Sequence, residues 1–130
     1  MQYERSVTVE MPYLQAVAKV RELLGEEGFG VLSEIDVRAT LKEKRGVEME
    51  DYVILGACNP DLAHRALDIE RSVGVLLPCN VVVSADGDRS KVQILDPQTM
   101  SGVTGLDELQ PVADAASESL QAVLDSLARL

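Results

Sequence analysis

Aromatic residues are scarce in this chain. Tryptophan is absent, phenylalanine occurs once and tyrosine three times among 130 residues. Its core therefore has to be assembled from Val, Leu, Ile and Ala. Basic residues are also few, 12 Lys and Arg against 22 Asp and Glu, for a net charge of −10. Such a surface repels phosphate backbones, and no basic stripe with interleaved aromatics offsets it, so nucleic acid and anionic membranes are poor partners. Two cysteines are too few for a disulfide scaffold. No apolar run approaches the roughly 20 residues of a membrane span. The N-terminal "MQYERSVTVEM" carries charge where a signal peptide needs an apolar core. These absences predict a cytoplasmic protein with reduced thiols.

What remains is ordinary globular material, 46% hydrophobic and 26% charged. The length suits one domain spanning residues 1–130, large enough to bury roughly two thirds of its unfolded surface. The acidity is uneven. Residues 1–46 hold seven bases against eight acids, and the rest hold five against fourteen. The simplest consequence is solubility.

Patterning predicts an alternation of strands and helices. "YERSVTVEM" (3–11) alternates as a strand, and Pro12 opens a helix through Tyr13, Val17, Val20 and Leu24 that Gly25 and Gly28 stop. "FGVLSEI" (29–35) reads as a strand with Phe29, Val31, Ser33 and Ile35 on one face. Asp36 caps a short helix, "VRATLKEKR", which Gly46 ends. Its Arg38, Lys42, Lys44 and Arg45 form a local basic cluster, most simply a solvated face. "YVILGAC" (52–58) is a strand, "NPDLAHRALDIERS" a helix, and "VGVLLPCNVVVS" (73–84) another strand. "ADGD" turns into "RSKVQIL" (89–95) as a hairpin. "DPQTMSGVTGLDE" reads as a loop with at most one helical turn. Leu109, Val112, Ala113, Ala116, Leu120, Val123, Leu124 and Leu127 mark a long C-terminal helix.

The segment 73–84 is apolar on both faces. Val75, Leu77, Cys79, Val81 and Val83 alternate with Leu76, Pro78, Asn80 and Val82. A two-layer domain covers one sheet face with helices, so a second apolar face predicts a homodimer or a ligand-filled groove.

The chemistry-bearing stretch is "ILGACNPDLAHRAL" (54–67), which holds one cysteine and the only histidine. Cys58 ends a strand just before a helix N-terminus, where backbone N–H groups and the dipole favour an anion or a thiolate. Asn59 is the expected N-cap, Pro60 takes the first helical position, and Asp61 complements the dipole. Gly56 shares a face with Cys58 and leaves room there for a ligand or for close backbone packing. His64 lies roughly 8 Å along the helix axis, with its side chain leaning back toward Cys58.

Three readings of this stretch stay open. Cys58 and Cys79 are buried hydrophobes, with His64 on the surface. Alternatively Cys58 is a low-pKa thiol, with His64 as base and Cys79 as resolving thiol. Or Cys58, His64 and Cys79 bind a transition metal, although C-x5-H-x14-C matches no compact zinc spacing. Elsewhere the glycines form no phosphate-cradling loop, and Asp86 and Asp88 sit in a hairpin turn too short for calcium.

"GFGVLSEIDVRATLKEKRG" (28–46), "YVILGACNPDLAHRAL" (52–67), "GVLLPCNVVV" (74–83) and Asp96-Pro97 closely resemble the bacterial and archaeal family of domain of unknown function 302. The likeness runs in order over nearly the whole chain. It departs at Glu70-Arg71, where the family pattern has Glu-Pro, a change expected to lengthen the helix slightly. The resemblance implies a two-layer α/β sandwich related to β-α-β(4)-α folds, commonly dimeric, and no established reaction.

The sequence thus predicts an α+β domain with about five mainly antiparallel strands, helices on one face and a long C-terminal helix. It predicts a homodimer with a pocket at the Cys58–Asn59 turn, lined by Gly56, His64, Cys79 and Asn80. There Asn59 and the following amides would hold a small anionic or sulfur-bearing ligand beside the Cys58 thiolate, with His64 as base. No cofactor is required. The competing reading is a non-enzymatic dimeric interaction module with inert cysteines.

Overall fold

The computed structural model describes residues 2–130. Five strands form one antiparallel sheet in the order β1-β5-β4-β3-β2: β1 (Glu4–Val9), β2 (Gly30–Asp36), β3 (Tyr52–Cys58), β4 (Cys79–Asp86) and β5 (Arg89–Leu95). Helices α1 (Tyr13–Glu26) and α5 (Gln110–Ala128) pack on one face. The result is the expected α+β sandwich with a long C-terminal helix.

Alternation along the strands builds the core. Cross-strand pairing aligns Val7, Val92, Val83 and Val53 in one inward row, and Ile94, Val81 and Leu55 in the next. All but the half-buried Val7 are fully or almost fully buried. Ala16, Val20, Leu23 and Leu24 of α1 and Leu120, Val123, Leu124 and Leu127 of α5 close over them. Each fully buried Leu or Val contributes about 1.5–3 kcal/mol relative to exposure. The α1 stripe is shifted from the expected one: Val20 and Leu24 are fully buried as expected, Tyr13 and Val17 are only half-buried, and Ala16 and Leu23 join the core in their place.

A bulge in β2 corrects a second expectation. The register shifts between Val31 and Ser33, leaving Leu32 as the extra residue, 73% exposed. One added residue reverses the alternation beyond it. Val31 therefore pairs with inward Ala57, whereas Ser33 and Ile35 pair with Gly56 and Ile54 on the outer face.

The segment expected as one strand over 73–84 is two structures. Residues Arg71–Leu76 form a 3-10 helix, the Leu77–Pro78 peptide is cis, and β4 starts only at Cys79. Its apolarity has a different cause from sheet membership. Val73 is buried, and Leu76 and Leu77 partly so, in a second cluster with Ala66, Met100, Leu109 and Val112. Helix α3 (Pro60–Ile69) ends at Ile69 with Glu70 extended, so Glu70-Arg71 does not lengthen it.

The stretch after β5 is helical, not a loop. Helix α4 (Gln98–Thr104) is stopped by Gly105 in the left-handed conformation, and a 3-10 turn, Asp107–Leu109, leads into α5. Asp96 organises this corner. Its carboxylate takes two hydrogen bonds from the Arg5 guanidinium at 3.1 and 3.2 Å and one from the Gln98 N–H at 2.9 Å. Arg5 also donates to Gln121 at 3.1 Å, so one ionic cluster joins β1, α4 and α5. Helix α2 (Val37–Arg45) has the expected Asp36 cap and Gly46 stop, and buries no side chain.

Candidate functional site: the Cys-Asn-Pro turn and the outer sheet face

The turn from β3 into α3 forms as its residue types dictate. Asn59 Oδ1 accepts a hydrogen bond from the Leu62 N–H at 3.2 Å, and Pro60 and Asp61 fill the first turn. On its other side Asn59 meets Gly28, where φ is +81° and a Cβ would stand 3.2 Å from Asn59 Nδ2. The side chain expected to hold a ligand is thus engaged in capping and packing.

Cys79 lies opposite Ala57 and is 8% exposed. Burial, and secondarily the nearby Cys58, push its thiol up to about 11, so it stays protonated at neutral pH. Cys58 is half-buried, and neither cysteine is in a disulfide. Both line a small, partly open cavity of about 20 Å³ with Phe29, Leu62, Leu77 and Met100. No charged side chain lines it. That volume admits about one water and no substrate.

The structure does not bring the other expected site residues to this cavity. A Cβ on Gly56 would collide with Ser33 Oγ and come within 2.9 Å of Pro78 Cγ. Close packing, the second of the two uses expected for Gly56, therefore accounts for the glycine. The His64 side chain is 77% exposed and pairs with Asp68 Oδ2 at 3.4 Å along its own helix. Asn80 is exposed on the opposite face of the sheet from Cys79. Among the described residues no group of three His, Cys, Asp or Glu side chains is placed to hold a metal ion. The Cys58–His64–Cys79 metal reading therefore has no geometric support.

The outer sheet face is the larger feature. Pairing runs Ser6, Gln93, Val82, Ile54 and Ile35 in one row across all five strands. Its last three members are apolar; Val82 and Ile54 are half-buried and Ile35 is 49% exposed. Toward β1 the face deepens into an open groove of about 300 Å³ lined by Tyr3, Tyr52, Val82 and Leu95. Glu4, Asn80 and Gln93 supply its polar groups. Of these residues only Asn80 stands among the expected site residues. The alternation of β3 and β5 carried the signal, since Tyr52 and Ile54, like Gln93 and Leu95, point away from the buried rows.

The comparisons with known proteins agree with this architecture. The family model described as domain of unknown function DUF302 matches residues 5–127. The chain belongs to the DUF302 family. It is also similar to the crystal structure of an uncharacterized conserved DUF302 protein from Bacillus stearothermophilus. That match has a TM-score of 0.89 and 31% identity over 98% of this chain and 99% of the other. No curated protein matches the chain. Among the described residues, no helix is long and apolar enough to cross a membrane.

Proposed function

We propose that this DUF302 chain is a single-domain cytoplasmic interaction module that self-associates as a homodimer through the outer face of its sheet, with both cysteines serving as packing groups. The observation that carries this reading is the outward-pointing apolar row Val82–Ile54–Ile35, half-buried at Val82 and Ile54 and exposed at Ile35, with the exposed Leu32 on the same edge strand. Large apolar side chains placed contiguously on a sheet face favour a covering partner. The partner is a second copy because the face is electrically balanced within a strongly acidic chain. Among outward-pointing strand residues, the acids Glu4 and Asp86 are matched by Arg89 and Lys91. A two-fold, self-complementary contact there avoids the repulsion that a net charge of −10 imposes elsewhere.

A chemical function at the Cys-Asn-Pro turn draws less support. The cavity is water-sized and uncharged, Asn59 is engaged as a cap, and His64 faces solvent. The reduced cysteines fit a cytoplasmic setting.

The test is a pair of charge insertions read by size-exclusion chromatography with light scattering. Ile54→Asp should convert the dimer to a monomer. Val75→Asp, on the 88% exposed Val75 of the 3-10 segment, should leave the mass unchanged. Equal behaviour of the two variants would overturn the assignment of the face.

A further inference from the structure

The groove on the β1 side of the same face has a chemistry of its own. The chain has three tyrosines, and two of them, Tyr3 and Tyr52, line this one depression. Tyr3 is 67% exposed, so burial does not explain its position. Beside the rings the groove holds one carboxylate, Glu4, and the carboxamide of Gln93. Gln93 Nε2 donates toward Glu4 Oε2 at 3.5 Å. Asn80 adds a second carboxamide. No Lys or Arg lines the groove.

We infer that this groove is a binding site for a small planar organic cation, of the amidinium or aromatic-amine class, held against its tyrosine rings with its N–H groups on Glu4 and the carboxamide oxygens. Aromatic faces attract a cation through the ring quadrupole. The carboxylate and the overall negative charge attract the same species and repel its anionic counterpart. A volume of about 300 Å³ lies at the small end of ligand pockets and suits a one- or two-ring molecule. The site goes beyond the self-association reading and does not depend on it. The apolar row runs from Val82 on β4 toward Ile35 on β2, away from Glu4 on β1.

The experiment is a titration of the isotopically labelled full chain, followed by backbone NMR shifts, with three probes sharing one ring. Benzamidine is the cation, benzamide the neutral analogue and benzoate the anion. Saturable shifts confined to residues around Asn80, Val82, Gln93 and Leu95 are expected for benzamidine, with at least tenfold weaker response to benzoate. Glu4→Gln should weaken benzamidine about three- to fivefold and leave benzamide unchanged, the scale of one exposed charge pair. Tyr52→Leu should weaken benzamidine more than benzamide, because only the cation gains from the ring quadrupole. If Tyr52→Leu folds poorly, Asn80→Ala, on an exposed position, serves as the second groove variant. Shifts scattered over the acidic surface, equal binding of benzoate, or variants indistinguishable from the parent would each overturn the site. Sedimentation in parallel separates the outcomes: a monomer that still binds benzamidine removes the dimer reading alone, and a dimer that does not bind removes the groove alone.

Discussion

Ser33 and Gly56 face each other across β2 and β3, and Ser33 Oγ occupies the space that a side chain at position 56 would need. Pro78 closes the same space from the β4 side. Gly56→Ala should therefore destabilise the fold by about 1–3 kcal/mol, the range for overpacking a filled site. Urea unfolding checks this, and a loss below about 0.5 kcal/mol would show that the space is open.

Asp96 anchors the C-terminal corner. Its side chain is 14% exposed and that of Arg5 is 27% exposed. Asp96→Ala leaves the guanidinium without its carboxylate and the Gln98 N–H without its acceptor. A loss of about 2–3 kcal/mol is expected, between surface and fully buried ion pairs. The double variant with Arg5→Met should recover part of that loss in a thermodynamic cycle.

The two cysteines should differ sharply toward a thiol reagent. At pH 8, half-buried Cys58 should react in the folded protein, whereas Cys79 should react only after unfolding. His64→Ala should leave the Cys58 rate unchanged, because His64 faces solvent and Asp68. A several-fold slowing would place the imidazole at the thiol after all.

Cys79 also predicts a pH dependence. Its folded value is raised from the ordinary 9.0 to about 11, so the folded state holds the thiol proton more tightly than the unfolded chain does. The corresponding stability is fully present below pH 9 and is lost as the pH rises from about 9 to about 11. Cys79→Ala should flatten that part of the stability profile. An unchanged profile would mean that Cys79 ionises freely in the fold.

Local chemistry made much of this molecule legible in the sequence. Asn59-Pro60-Asp61 specified a helix start, Asp36 and Gly46 bounded α2, and the spacing from Leu109 to Leu127 marked α5. Errors arose where tertiary packing overrode pattern. Val73, Leu76 and Leu77 are apolar because they meet Ala66 and Met100, a contact that no local period reveals. The bulge at Leu32 moved Ser33 and Ile35 to the other face, and no residue there announces it. Asp96-Pro97 and Gly105 were helix signals around α4, masked by the weak periodicity between them. At the turn, residue types showed the cap. Side-chain direction, which separates His64 and Asn80 from the cysteines, depended on the folded sheet.

Self-association through the outer face is the claim on which the functional reading rests, and sedimentation equilibrium of the unmodified chain tests it most directly. At micromolar concentration the account predicts twice the chain mass of 14.1 kDa, with Ile54→Asp returning the single-chain value. A wild-type mass of 14.1 kDa at all concentrations up to about 100 μM, a weak-affinity regime near −5.5 kcal/mol, would contradict it.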